Sequence, residues 1–134
     1  MYSRFLFVGL GGSGGKTLRF LKREIYRWLE HHDAGTSIPA GWQFLHIDTP
    51  TSADGAEIDD LADPLPADEY LGLIGPGLTF AAVQNKLDGN ENLRSELQTW
   101  RVDPAGLPVG IQMGAGQFRA IGQTVSMAYT QQIR

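Results

Sequence analysis

An apolar run, Phe5-Leu6-Phe7-Val8, leads directly into Gly9-Leu10-Gly11-Gly12-Ser13-Gly14-Gly15, five glycines within seven residues. Lys16-Thr17 and a helix-forming segment follow at once. Glycine takes positive φ cheaply and lets a backbone come right up to its neighbour. A helix opening just beyond such a turn directs unpaired N–H groups, and the positive end of its dipole, at whatever lies there. The chemistry that fits is a phosphate group. A plain strand-to-helix turn needs fewer glycines than these.

The pattern around this motif reads as alternating strand and helix. Tyr2–Leu10 is almost continuously apolar, as in a strand covered on both faces. From Gly14 to about Glu30 the spacing predicts a helix, with Leu18, Leu21, Ile25, Trp28 and Leu29 on one face. Arg19, Lys22, Arg23 and Arg27 fall mostly on the other face. Trp42–Ile47 reads as a second strand, stopped by Asp48-Thr49-Pro50. Two strands joined by such a helix make a βαβ unit, with parallel strands and a right-handed crossover. Ligands of open parallel sheets bind beyond the carboxyl ends of the strands. Gly9–Gly15 and Asp48–Pro50 therefore share one rim. The expected fold is α/β: Rossmann-like, with a mostly parallel sheet and flanking helices.

Residues 51–106 read as an insertion of small helices and loops, broken by Pro64, Pro66, Pro76 and Gly77. Within it Ala53–Leu61, Ala81–Leu87 and Glu91–Trp100 look helical. Leu107–Met113 is expected as a third strand, then Gly114-Ala115-Gly116, then a helix from about Phe118 to the end.

At 134 residues this is one domain or part of one. There is no cysteine, so disulfides and thiolate metal sites are excluded. His31, His32 and His46 are scattered over unlike elements, so no metal site is expected. No stretch approaches the roughly 20 apolar residues of a membrane span, and the cytoplasm is the default compartment. Charge is segregated: residues 1–27 hold six Lys/Arg against Glu24 alone, whereas residues 28–85 hold ten acids and no Lys or Arg. A solvated basic helix face and an acidic loop account for this without a nucleic acid.

Three patterns compete for the glycine motif. A Walker A loop closing on Gly15-Lys16-Thr17 would need glycine where Leu10 stands. Gly9-Leu10-Gly11-Gly12-Ser13-Gly14 satisfies G-x-G-x-x-G, which keeps an NAD(P)-binding Rossmann oxidoreductase open as the alternative. Its ribose-binding acid would be Asp48, 34 residues past Gly14, where about 20 is usual.

Gly9–Gly15 also resembles the first phosphate loop of the tubulin/FtsZ GTPases, G-x-G-G-x-G-G. Ile47-Asp48-Thr49-Pro50 stands where that family has its Asn-Thr-Asp type loop. Gly114-Ala115-Gly116, with Gly122 six residues on, is similar to the family's third loop. The poorly characterised bacterial tubulin-like proteins are a nearer likeness than FtsZ. Lys16 stands where FtsZ has asparagine, and the G-G-G-T-G-S/T-G signature is absent from these residues.

The resemblance implies that residues 1–134 are the N-terminal part of a tubulin-type GTPase domain, with the main phosphate loop and the water-polarising acid expected beyond residue 134. It implies GTP or GDP, with Mg2+, as the cofactor, and a homo-oligomer or filament as the assembled form. Gly11, Gly12, Ser13, Gly14, Gly15 and Lys16 would hold the α- and β-phosphates. Asp48 and Thr49 would serve the rim, and Gly114, Ala115, Gly116 and Gln117 would close over the γ-phosphate. No residue is assigned a catalytic role, and this segment alone is expected to be inactive.

Overall fold

The computed structural model describes residues 3–53, 63–99, 101–103, 106, 111, 114–115 and 118–133. The chain divides into two compact units, Met1–Asp48 with Ser52–Leu71, and Thr49–Thr51 with Gly72–Arg134.

The first unit is the expected βαβ unit. Strand β1 (Phe5–Leu10) passes into helix α1 (Gly11–His31), and strand β2 (Trp42–Asp48) returns beside β1. The two strands are parallel, in a register that sets Phe7 against Phe44 and Gly9 against His46. α1 lies on both strands. Its apolar stripe buries Leu18 and Leu29, while Trp28 is 54% exposed and stacks on His32. Trp28 is thus a correction to the expected apolar face: its ring lies over the neighbouring imidazole and stays outside the core.

The helix starts at Gly11, three residues ahead of the sequence expectation. Gly11 has φ +67°. One residue in that conformation turns the chain completely, so no loop separates strand from helix.

A short strand β3 (Tyr70–Gly72), after a 3-10 turn at Ala67–Glu69, adds to the far side of β2 and gives the order β1-β2-β3. The insertion expected from sequence held only helices and loops. Three residues are too few to show a period of two.

Part of the segregated charge is used inside this unit. Arg19 is 5% exposed and its Nε donates to the Asp63 carbonyl at 2.9 Å. Lys22 Nζ meets both Glu69 carboxylate oxygens, at 2.6 and 2.7 Å, and lies 5.4 Å from the centre of the Phe44 ring. These two cations bind the basic helix to the segment carrying the acids, so they do not form the solvated face expected from sequence.

The second unit is helical where it is described. Helices α2 (Phe80–Asp88) and α3 (Glu91–Leu97) are capped at their N-termini by Thr79 and Asn90 side chains. Helix α4 (Arg119–Ala128) packs on α2, with Ile121 and Val125 fully buried, and α5 (Thr130–Ile133) follows. The single terminal helix expected from sequence is interrupted at Tyr129, and the Thr130 hydroxyl lies within hydrogen-bond distance of the Ser126 and Met127 carbonyls beside the break. Asp88 and Arg101 form a two-pronged ion pair at 2.6 and 2.7 Å, and the guanidinium holds the Asp88 carboxyl below its ordinary value. The expected helix at 53–61 lies outside the described residues apart from Ala53. The expected strand at 107–113 does too, apart from the buried Ile111.

β1 is not covered on both faces, contrary to what its continuous apolar run suggested. Gly9 faces α1, so Leu6, Val8 and Leu10 face the other way, and they are 61%, 47% and 69% exposed. Among the described residues β1 has a strand partner on one side only. An apolar face beside an open edge favours association. In sedimentation velocity the 134-residue chain is expected to associate with rising concentration. Val8→Lys should shift it toward monomer while changing stability by no more than about 0.5 kcal/mol.

Candidate functional site

The hand-over from β1 to α1 is made of backbone against backbone. A Cβ on Gly9 would stand 2.5 Å from the Gly14 carbonyl oxygen, and a Cβ on Gly14 would stand 2.7 Å from the Gly9 carbonyl carbon. Neither neighbour is a side chain that could swing away. Gly15 has its own reason to lack a side chain, since a Cβ there would overlap the imidazole of His46.

Gly11 and Gly12 differ in kind. A Cβ at either would meet nothing within 4 Å. Gly11 is needed for its φ, whereas at Gly12 neither φ nor neighbouring atoms demand glycine. Gly12, Ser13 and Lys16 are exposed at the helix start. No side chain caps this first turn, and it contains no acid. The first N–H groups of a helix lack intrahelical partners. Here no side chain caps them, Gly12 and Ser13 are exposed, and the helix dipole lies behind them.

Asp48 ends β2 at the same rim, its side chain 17% exposed and its Oδ2 3.6 Å from His46 Nε2. That nitrogen also lies 2.9 Å from the Gly11 carbonyl oxygen. The turn and the end of β2, 35 residues apart, thus meet through His46. Sequence reasoning set His46 aside. The signal that finds it is parity: His46 and Asp48 are two apart on one strand and so face the same side.

In the second unit, Thr49 is buried and its carbonyl accepts from the Ile74 N–H at 3.1 Å. Gly114 takes φ +110°, its N–H donates to the Ile111 carbonyl, and the Ala115 carbonyl accepts from Phe118. α4 then starts without a side-chain cap. Gly116 and Gln117 lie outside the described residues. Among the described residues no three His, Cys, Asp or Glu side chains cluster to hold a metal. No described helix is long and apolar enough to cross a membrane.

Residues 6–134 match the family described as tubulin-like. The chain belongs to the tubulin-like family. The family match thus runs from β1 to the last residue, spanning all three glycine-bearing or rim elements singled out from the sequence. No curated protein and no solved structure matches the chain. The α/β unit with its parallel β1–β2 pair and flanking α1 is the Rossmann-like arrangement expected of a tubulin-type fold.

The glycines are expected to separate by substitution. Gly14→Ala should destabilise the protein by about 1–3 kcal/mol through overpacking, although alanine is intrinsically the better helix former. Gly12→Ala should be neutral, or stabilising by up to about 1 kcal/mol. Urea unfolding midpoints of the two variants measure the difference.

Proposed function

We propose that this tubulin-like chain binds a guanine nucleotide as its Mg2+ complex, and that the complete protein is a GTPase which assembles with copies of itself. The observation that carries the reading is the uncapped start of α1, open above Gly11 and Gly12, in a chain of this family. N–H groups of residues 12–15 would hold the α- and β-phosphates, with Lys16 close to the same turn offsetting their charge. Mg2+ keeps most of its waters and binds through phosphate and one or two carboxylates, and Asp48 at the end of β2 would supply one. Gly114, Ala115, Gly116 and Gln117 would order against the γ-phosphate. A loop that responds to that group is the usual basis of a nucleotide switch.

The residues present fit a polyphosphate by their chemistry: a first turn with no side-chain cap, no acid in it, and an exposed Lys16. The oxidoreductase alternative draws on the contact of Gly9 with Gly14 and on Asp48 at the end of β2, but the family match does not favour it. The reading places the protein among soluble, cytoplasmic nucleotide-binding proteins, with nucleic acid not among its partners.

Calorimetric titration with GTP, ATP and NAD is expected to show binding of GTP ahead of the other two. Gly12→Ala should fold as stably as the unaltered protein yet lose GTP affinity by tenfold or more, about 1.4 kcal/mol, because a methyl then stands where the phosphate approaches. Preferential NAD binding, or GTP affinity untouched by Gly12→Ala, would refute the assignment.

A further inference from the structure

His46 is the side chain on which the glycine turn rests. It is almost fully buried, with the Gly15 backbone against its ring and the Tyr70 ring edge-on to it at 5.1 Å between centroids. Its Nε2 lies 2.9 Å from the Gly11 carbonyl oxygen. A carbonyl only accepts, so Nε2 carries the proton and donates. The second acceptor near that proton is Asp48 Oδ2, at 3.6 Å.

The Gly11 carbonyl and the Gly12 N–H belong to one planar trans peptide, so they point in opposite directions. Anchoring the carbonyl on His46 therefore turns the Gly12 N–H away from the imidazole, at a residue that is itself exposed. We infer that His46 is a positioning residue: by holding the Gly11 carbonyl it aims the Gly12 N–H into the phosphate cradle and links that cradle to Asp48. The geometry stands by itself; its consequence for binding rests on the nucleotide reading proposed above.

Glutamine and phenylalanine separate this role from simple space filling. In His46→Gln the amide nitrogen reaches about as far as imidazole Nε2 and keeps a donor for Gly11. His46→Phe keeps the ring and loses the donor, leaving a carbonyl unpaired. Two measurements on the full chain decide between them: the 1H–15N resonance of the Gly12 amide in nucleotide-free protein, and Mg2+-GTP affinity by calorimetry. His46→Phe is expected to shift the Gly12 resonance and weaken GTP binding by roughly tenfold, the usual consequence of stranding one hydrogen-bond partner. His46→Gln should leave the resonance near its original position and affinity within about threefold. The reverse order, with phenylalanine indistinguishable from histidine and glutamine impaired, would overturn the inference and make His46 a core filler. If the unaltered chain bound no nucleotide, the nucleotide reading would fall, while the Gly12 resonance would still decide the role of His46.

Discussion

The approach of Gly9 to Gly14, closer than any side chain permits, sets the geometry of the first unit. It lets α1 begin within one residue of β1, so the first turn of the helix stands directly over the end of the strand. Because β2 returns parallel to β1, its last residue, Asp48, reaches the same level. The unpaired N–H groups, the carboxylate and the buried imidazole between them follow from that contact and the parallel register. Had a loop separated strand from helix, the dipole and the end of β2 would have no reason to converge.

The ties of Arg19 and Lys22 answer a different need. Segment 63–69 carries a single large apolar side chain, Leu65, and precedes a strand of only three residues. Burial of apolar area alone gives it little hold on the helix. Lys22 and Glu69 are both largely removed from water, and such a pair returns little net stability after desolvation. Its effect is on register, because either charge left alone would be costly to bury. An ion pair of this kind fixes where the acidic segment sits on α1, and so where β3 joins the sheet. Two of the basic residues on α1 are thereby accounted for by contacts within the chain.

Much of this was legible in the sequence, for reasons that differ by element. β1 was readable from its apolar run, α1 from a helical period carried over many turns, and β2 from an apolar run stopped by proline, while α2 and α3 lay within segments that looked helical. β3 is too short to carry a pattern. Trp28 and Arg19 exchanged their expected places because helix periodicity assigns faces by polarity: it cannot know that an imidazole one turn on will shelter an indole, or that a backbone carbonyl will receive a guanidinium. The break at Tyr129 falls where the apolar pattern continues, so no hydrophobic period registers it. His46 was passed over because it looked like one of three unrelated histidines, although its parity with Asp48 already set it on the helix side of the sheet.

The same geometry explains why the glycine motif was ambiguous as a string of letters. Gly9 and Gly14 are required by packing, Gly15 by the imidazole beneath it, and Gly11 by its backbone angle. Any fold that starts a helix this close to a parallel strand makes similar demands, whatever it binds. Those four glycines therefore support a dinucleotide fold and a tubulin-type fold equally. Gly12 alone has no internal reason to lack a side chain, and the space above it is where a ligand's requirement would act. What separates the readings is thus the one glycine that packing does not demand, together with a family match that continues past the motif to residue 134.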